Sequence, residues 1–377
     1  MENRKVQLAE LIETPITGEW GNEITDVNNQ HIVKVIRTTN FTNDGEIDYS
    51  DITLRDIEYT KCEKKKLKYG DIILEKSGGT DVNPVGRVVF FDKNDPNDVY
   101  LTNNFTTTLR VKDNKINSRF LLLFLLYNYK YKGVHKFYNK TTGIQNLQVS
   151  NLIKNTYVPL PEIKIQSTVV EILDKIKNII KRREKQIILF DELIKSRFIE
   201  MFGDPIKNDK GWEVKKWEEV LKIINGKNQK KVENESGKYD IFGSGGKMGK
   251  AEDWLVKENS VLIGRKGSIN KPIIVKEKIW NVDTVFGLEP NIEIINCDYL
   301  YYFCYFYDFE RLNKAVTIPS LTKKDLLKID IPIPPLVLQE KFVLIHKSIN
   351  KLKFEAEKSL KEMENLYDSL MQKFFKQ

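Results

Sequence analysis

A duplicated proline motif is the feature that most constrains what this chain can fold into. Val158-Pro159-Leu160-Pro161 recurs 173 positions later as Ile331-Pro332-Ile333-Pro334, and Gln166 recurs at the same offset as Gln339. Proline ends a preceding strand but is tolerated where a helix begins. The repeat therefore predicts two copies of a domain that closes with a strand and passes into a helix.

Both proline motifs are followed by apolar residues at alternating steps of three and four. The first series is Val169, Ile172, Ile176 and Ile179, then Phe190 and Leu193 after an interruption at Arg183 and Gln186, which the second series shares at Ala356 and Ser359. The second series is Phe342, Ile345, Ile349, Leu352, Met363 and Leu366. This spacing is the seam pattern of a coiled coil. We predict two long helices, each with an apolar seam.

A repeat of this length exceeds the roughly 20–50 residues of a solenoid unit, so it indicates a duplicated domain followed by a helix. Strand-like and helix-like segments occur in the same order in both halves, which predicts an α+β fold with a pseudo-two-fold internal repeat. The predicted division is a domain at 1–157, a helix at 158–203, a linker and second domain at 204–330, and a second helix at 331–377.

Charge and cysteine content narrow the class of protein. With 61 Lys and Arg against 53 Asp and Glu, the net charge of +8 favours a polyanionic partner, although a merely lysine-rich surface is an alternative. Three cysteines without metal-ligand spacing argue against structural disulfides and a zinc site. No apolar run is long enough to span a membrane, and the N-terminus lacks the apolar core of a signal peptide. We expect a cytoplasmic protein with no membrane association.

Catalytic motifs are sparse. His31, His135 and His346 are scattered along the chain, so a His-centred base or metal cluster is not expected, and we predict His346 to be a surface or seam residue. Gly243–Lys250 resembles a phosphate-binding loop but lacks its spacing. The Asn-Pro-Pro-aromatic tetrad typical of amino-methyltransferases is absent. We predict no catalytic residues and no metal site.

Three polar loops with glycine are the best candidates for binding nucleic acid. They are Lys76–Thr80, Thr142–Asn146 and Gly264–Ser268. Arg and Lys pair with phosphates, Asn and Gln can read base edges, and Gly lets a backbone approach its partner closely. The alternative is that each loop is only a strand connection that needs Gly for its turn. Their recurrence at equivalent places in both halves favours binding.

These motifs together resemble the specificity (S) subunits of type I restriction–modification enzymes. The residues that carry the resemblance are the opening segment Trp212–Val220, the Gly-Ser loop Tyr239–Gly246, the segment Thr142–Leu147, and the two proline motifs with their helices. The resemblance covers nearly the whole chain. It departs in the first half, where Val35–Asn40 stands in place of the Gly-Ser loop.

The resemblance implies two target recognition domains that bind double-stranded DNA. Each domain would read a short run of bases from the major groove, so the target would be asymmetric and bipartite. The two helices would pair as an antiparallel coiled coil, roughly 60 Å long for forty residues, that sets the distance between the half-sites. The predicted DNA contacts are Arg37, Lys76, Ser77, Thr80, Asn104, Thr142, Gln145, Asn146, Lys227, Tyr239, Ser244, Lys247, Arg265, Lys266, Ser268, Thr317 and Ser320.

The resemblance also implies partners. Two methylation (M) subunits would dock along the coiled coil and bind S-adenosylmethionine, and restriction (R) subunits would bind ATP and Mg²⁺, so this chain would hold no cofactor itself. The apolar residues beyond the seam are predicted to face the methylation subunits, namely Ile180, Ile187, Ile194 and Tyr367. Two other functions stay open, an S-like DNA-recognition subunit of another phage-defence system and a non-catalytic scaffold. A stand-alone enzyme is disfavoured by the missing motifs.

Overall fold

The long helices predicted after the proline motifs are the largest elements of the structure. This computed structural model describes residues 4–25, 31–80, 83–95, 98–141, 144–313 and 317–376. The first long helix is Ile163–Phe202 and the second is Leu336–Phe375, each of 40 residues. Both begin and end at the 173-residue offset of the proline motif. After the first, Gly203 adopts φ +77°, a left-handed conformation that ends helices and suits glycine.

Each long helix is shared between two compact units. Unit 1 consists of residues 1–181 and 361–377, and unit 2 consists of residues 182–360. Each unit thus contains one globular domain, half of the first long helix and half of the second. The division predicted from the sequence treats each long helix as a segment of its own, separate from the domains. That division stays a prediction.

The strands of unit 1 form two main sheets. Across the four-stranded sheet the order is Ile16–Thr17, Thr106–Leu109, Ile72–Glu75 and Val88–Phe90. Across the three-stranded sheet the order is Thr53–Asp56, Ile32–Ile36 and Tyr100–Thr102. The last two of these strands run parallel, whereas the other pairs in both sheets are antiparallel.

Unit 2 repeats both sheets in the same order. Its four-stranded sheet is Leu221–Asn225, Val285–Pro290, Ser260–Gly264 and Ile273–Val275. Its three-stranded sheet is Gly246–Ala251, Tyr239–Gly243 and Ile279–Asn281, with the last two strands again parallel. The predicted α+β fold and internal repeat are confirmed, strand by strand.

Short strand pairs bring the chain to each proline motif. Lys5–Gln7 pairs antiparallel with Tyr157–Pro159, and Glu213–Lys216 pairs in the same way with Asp330–Ile333. A further hairpin in unit 1 joins Tyr138–Thr141 to Ile144–Leu147. The other helices are Leu8–Leu11, Thr38–Asn40, Tyr59–Lys65, Ser118–Tyr127, Asn128–Lys132, His135–Phe137, Val149–Asn155, Trp217–Val220, Cys297–Phe306, Phe309–Leu312 and Lys323–Leu326.

Within each unit the two helix halves pack antiparallel against one domain helix. In unit 1, Phe375 near the end of the second long helix contacts Phe120 of Ser118–Tyr127 at a ring separation of 5.2 Å, and both share a core with Val169 of the first long helix. In unit 2, Phe198 lies 5.5 Å from Phe342 and 5.4 Å from Tyr299 of Cys297–Phe306. The predicted antiparallel pairing is confirmed, with aromatic side chains at both joints.

The first repeated glutamine fastens its helix to its domain. Gln166 is completely buried, and its Oε1 accepts a hydrogen bond from the backbone N–H of Asn117 at 2.8 Å. Its Nε2 donates to the carbonyls of Lys115 and Pro161, at 3.0 and 2.8 Å. Asn117 is the N-cap residue of the domain helix, so one side chain joins the proline motif, the long helix and the domain.

The second glutamine repeats this arrangement in unit 2. Gln339 is also completely buried and accepts from the N–H of Asn296, the N-cap residue of Cys297–Phe306, at 2.7 Å. It donates to the carbonyls of Ile294 and Pro334, at 3.2 and 2.8 Å. The recurrence of glutamine at one offset in the sequence therefore has a structural cause, which is the same three-way hydrogen bonding in each unit.

Candidate nucleic-acid interface

Two of the predicted binding loops meet in unit 1. A backbone bridge pairs Ser77 with Asn146, and the Ser77 hydroxyl donates to Asn146 Oδ1 at 2.6 Å. The N–H of Lys76 donates to the carbonyl of Phe105, and the N–H of Leu147 donates to the carbonyl of Lys76, both at 2.8 Å. These hydrogen bonds place the loop after Ile72–Glu75 against the strand Ile144–Leu147.

Unit 2 brings its loops together with the same backbone hydrogen bonds. Lys266 is bridged to Ser320, the N–H of Arg265 donates to the carbonyl of Thr284 at 2.7 Å, and the N–H of Leu321 donates to the carbonyl of Arg265 at 2.9 Å. We call this arrangement the loop bridge, Ser77 with Asn146 in unit 1 and Lys266 with Ser320 in unit 2. It is one backbone frame that carries different side chains.

A glycine in each loop bridge adopts a conformation that other residues rarely adopt. Gly78 has φ +107° and Gly267 has φ +79°. Their N–H groups donate to the carbonyls of Gln145 and Pro319, each at 3.1 Å. Glycine is needed here for the turn, as the alternative interpretation held, but the turn itself positions the neighbouring polar side chains.

The parallel strands of each unit end beside its loop bridge. The N–H of Asn103 donates to the carbonyl of Ile36, which precedes Arg37, and the N–H of Val282 donates to the carbonyl of Phe242, both at 3.0 Å. Arg37 and Asn104 thereby lie at one edge of unit 1. In unit 2, Ser244 Oγ lies 3.6 Å from the position that a Cβ on Gly267 would occupy.

A second pair of glycines allows close backbone contact at these strand ends. A Cβ on Gly18 would lie 1.9 Å from the carbonyl oxygen of Asn103, and one on Gly226 would lie 1.8 Å from that of Val282. Any side chain at either position would force the strands apart. Neither residue was among the predicted contacts, although Lys227 follows Gly226 directly.

The predicted contacts differ in accessibility. Exposed among them are Thr80, Asn104, Asn146, Lys227, Lys247, Lys266 and Thr317. Half-buried are Arg37, Lys76, Ser77, Tyr239, Ser244, Arg265, Ser268 and Ser320. Tyr239 opens the strand Tyr239–Gly243, at the end opposite to Ser244, so it is not brought to the loop bridge. Thr142 lies outside the described residues.

Gln145 requires a correction, because its side chain is buried in the domain. It is 2% exposed, and its Oε1 accepts from the backbone N–H of Val85 at 3.0 Å. Its Nε2 donates to the carbonyl of Thr80 at 3.4 Å. The alternation of a strand turns Gln145 inward and Asn146 outward, so Gln145 supports the loop bridge rather than extending from it.

Two of the predicted basic residues are held by neighbouring carboxylates. Arg37 donates to Asp51 Oδ2 at 2.7 Å, and Lys247 lies 2.8 Å from Asp240. Burial would raise the pKa of Asp240, but hydrogen bonds from Lys247 and Lys250 outweigh it and the pKa is lowered. Both cations are therefore positioned before any partner binds.

Exposed apolar side chains near the loop bridges were missed from the sequence. Phe105, whose carbonyl accepts from Lys76, is 52% exposed, and Ile318 is 60% exposed two residues before Ser320. Apolar side chains in a DNA interface can contact the methyl group of thymine. Their only sequence signal is an apolar residue inside a polar loop, which is weak evidence by itself.

Comparison with known protein families identifies the family to which this repeated arrangement belongs. The model described as "Type I restriction modification DNA specificity domain" matches residues 2–189 and 209–365, one segment for each repeat. The chain belongs to this family. The family match confirms the resemblance found in the sequence, so we refer to the chain below as a type I specificity subunit.

Relatives of the specificity family support the same assignment. A candidate type I restriction enzyme specificity subunit from Methanocaldococcus jannaschii is 25% identical over 359 residues, which cover 86% of this chain and 83% of the relative. Among solved structures, the S subunit of a type I restriction–modification system from M. genitalium has a TM-score of 0.63 at 18% identity. The match covers 99% of this chain and 96% of that one.

A second solved structure has the same fold. It comes from work on complex assembly and conformational transition of the type I restriction–modification system, with a TM-score of 0.61 and 18% identity, covering 99% of this chain and 97% of that chain. At this identity the match establishes the fold alone. No helix within the described part of the specificity chain is long and apolar enough to cross a membrane.

His346 of the specificity chain, predicted as a surface or seam residue, lies where the second long helix packs on the domain helix. Its Nδ1 is 2.8 Å from Oδ1 of Asp298, and its ring stacks on Phe342 at 5.9 Å. Lys276 contacts the other oxygen of Asp298 at 2.9 Å. Burial would raise the pKa of Asp298, but the hydrogen bonds from His346 and Lys276 outweigh it and the pKa is lowered.

The predicted docking stripe requires a correction as well. Ile194 is 2% exposed in the core of unit 2, and burial raises the pKa of half-buried Tyr367, which packs against the core of unit 1, to about 12. Ile180 and Ile187 are half-buried. Ile194 and Tyr367 therefore belong to the packed side of the helices, whereas the docking role of Ile180 and Ile187 stays a prediction.

Some residues of the predicted seam are exposed instead of packed, among them Ile172 and Ile179. On the first long helix Ile165, Ile172 and Ile179 are 46%, 37% and 41% exposed, at intervals of seven residues. On the second, Val337 and Leu344 are 78% and 67% exposed, also seven apart. We call these residues the exposed stripes of unit 1 and unit 2. The predicted seam was correct in part, because Val169, Phe342 and Ile349 are buried. Ile172 and Ile179 were wrongly placed in it because two neighbouring stripes of the first helix are both apolar, and the period alone does not rank them.

Proposed function

We propose that this specificity subunit reads an asymmetric, bipartite target on double-stranded DNA, with one part read by each unit. The observation that carries this proposal is the loop bridge, which has one backbone frame and different side chains in the two units. Ser77 and Asn146 in unit 1 correspond to Lys266 and Ser320 in unit 2. Amide and ammonium groups prefer different base edges, so the two units would select different bases.

Basic side chains around each loop bridge would hold the DNA backbone. Lys76 adjoins the bridge of unit 1, and Arg265 adjoins that of unit 2, with its guanidinium carbon 5.9 Å from the ring centroid of Phe286. Contacts to phosphates fix the position of a protein on DNA without reading sequence. The net charge of +8 is consistent with this division of roles.

The exposed stripes are the surfaces on which methylation subunits would dock. A row of exposed isoleucines on a helix matches an apolar surface of a partner helix, and such residues are costly to leave in water. Because each unit has its own stripe, the proposal includes two methylation subunits. They would supply S-adenosylmethionine, and restriction subunits would add ATP and Mg²⁺. The specificity family is generally non-catalytic, and on this proposal the chain contributes recognition alone.

Selection of duplexes from a random library by the full chain with its methylation partner tests the division between units. The double variants are S77A/N146A and K266A/S320A. We expect each to relax base preference in one half of the selected motif only, by about 1–3 kcal/mol for each lost base contact. K207A, in the exposed segment after the first long helix, should leave both halves unchanged. Relaxation of both halves by one double variant would contradict the proposal.

A further inference from the structure

A small cavity in unit 1 has walls that carry cations and aromatic rings. It has a volume of about 230 Å³, and its lining includes Lys5, Lys132 and Lys136 beside Phe137 and Tyr157. None of the lining residues is Asp or Glu. Within the described part of the chain, none of the three lysines forms an ion pair.

Three separate segments bring these lysines together. Lys5 opens the strand that pairs with Tyr157–Pro159, and Lys136 lies in the turn His135–Phe137. Lys132 ends Asn128–Lys132, a π-helical turn that extends the domain helix. Such turns are rare and occur frequently at functional sites. The fold thus brings Lys5 to Lys132 and Lys136, which lie far from it in the sequence.

The lysines repel one another. Burial, followed by the positive charges of Lys5 and Lys136, lowers the pKa of Lys132. Aromatic rings offset part of this repulsion, because the Lys136 ammonium lies 4.9 Å from the centroid of Phe137 and that of Lys132 lies 5.7 Å from the centroid of Tyr127. An anion in the cavity would relieve the repulsion directly.

In the described part of unit 2, the place of Lys5 is taken by a residue without charge. Through the matching strand pairs, Val214 occupies the place of Lys5, and Asp330 occupies the place of Tyr157. Asp330 lies 3.0 Å from Lys216, so this cation is already neutralised. The place of Lys5 therefore carries a cation in unit 1 and an apolar residue in unit 2.

We propose that Lys5, Lys132 and Lys136 bind a phosphate group in this cavity. The cavity lies at the open end of the hairpin whose second strand carries Asn146. Its lining residue Phe137 directly precedes the first strand, and the Phe137 carbonyl accepts a hydrogen bond from the N–H of Gln148 at 2.7 Å. The phosphate could belong to the DNA backbone, which rests on the proposed function, or to a free phosphate compound, which does not.

Two measurements on the full chain, each made with wild type and with K132Q/K136Q, test the site. The first is the dependence of DNA affinity on salt, with a 40-base-pair duplex as the probe. A DNA phosphate in the cavity predicts that the double variant lowers the slope of log affinity against log salt by about two, equally for target and non-target duplexes. The second is calorimetric titration with sodium pyrophosphate at constant ionic strength, in which a free phosphate compound predicts binding to wild type and none to the variant.

K64Q/K68Q, which removes two exposed lysines elsewhere in unit 1, is the charge-matched control and should change neither result. K132Q/K136Q should fold as well as wild type, since it removes like charges, and its melting temperature checks this. A double variant identical to wild type in both measurements would overturn the site. If wild type shows no salt-dependent affinity for DNA, the proposed recognition function fails, and the pyrophosphate titration alone then decides the cavity.

Discussion

At the scale of single residues, Gln166 and Gln339 explain why the two halves keep the same frame. Each side chain accepts from one backbone N–H and donates to two backbone carbonyls. An unsatisfied buried polar group costs about 1–3 kcal/mol. A repeated glutamine is visible in the sequence, but its partners are backbone groups, which no sequence pattern indicates.

Replacement of either glutamine by leucine should destabilise only its own unit. We expect Gln339→Leu to lower the free energy of local unfolding by about 2–4 kcal/mol, because three backbone groups lose their partner. Hydrogen exchange should speed up at residues 297–306 and stay unchanged at residues 118–127. Gln166→Leu should give the reverse pattern, and Gln372→Leu, at an exposed position, should affect neither helix. Equal acceleration in both helices after one substitution would be inconsistent with these roles.

Asp298 should make the free energy of unfolding of unit 2 depend on pH in the acidic range. Its pKa is lowered from 3.8 in the folded chain, so its contribution is complete above about pH 4 and is lost as pH falls through the lowered pKa. Asp298→Asn should remove this dependence and, by leaving His346 and Lys276 without their carboxylate, cost on the order of 3 kcal/mol at neutral pH. Exchange at residues 297–306, followed against pH, measures both effects.

Asp330→Asn is the control for this substitution. Asp330 pairs with Lys216 on the surface and is 66% exposed, so the change should stay within about 0.5 kcal/mol. If the two substitutions had equal effects, the buried joint would not be the source of the acid dependence.

At the scale of elements, the second residue of the domain helix makes a different polar contact with a long helix in each unit. In unit 1, Arg119 of the domain helix pairs with Asp174 of the long helix at 2.9 Å. In unit 2 the equivalent residue of the domain helix is acidic, and Asp298 contacts His346 of the long helix at 2.8 Å. Each domain is therefore matched to its own helices, even though the apolar packing is repeated.

The exposed stripe of unit 1 should be required for docking but not for folding. We expect Ile172→Glu with Ile179→Glu to abolish co-purification with a methylation subunit while the melting temperature stays within about 2 °C, because both side chains already face water. Lys175→Glu, on an exposed position of the same helix, should leave co-purification intact. Ile194→Glu should instead unfold unit 2, since Ile194 is buried. Retained co-purification by the stripe variant would refute this assignment of the docking surface.

The period of the helices could be predicted from the sequence, but the residues that pack could be predicted only in part. Leu173 is completely buried, whereas its neighbour Ile172 is 37% exposed, and both fit a 3/4 pattern. The choice between them depends on where the domain helix and its aromatic residues approach, which is tertiary information. The same limit applies to Gln145, whose inward direction follows from its partner Val85 in another loop.

At the scale of the whole molecule, the internal repeat was the most predictable feature. The proline motif, the glutamine and the two long helices share one offset in the sequence, and the sheets of unit 2 follow the strand order of unit 1. The lysine cluster of unit 1 could not be predicted, because Lys5 meets Lys132 and Lys136 only through strand pairing and a π-helical turn. Features that repeat in the sequence could therefore be predicted from it, whereas features that distinguish the two units became visible only in the structure.

The most direct test of bipartite recognition is the methylation pattern of host DNA, read by single-molecule sequencing with and without this gene. We predict that deletion removes methyladenine from one asymmetric motif with two separated parts, and that restoring the gene with K266A/S320A relaxes only one of these parts. An unchanged methylation pattern, or a motif that is continuous or symmetric, would contradict the account that two different units read one target.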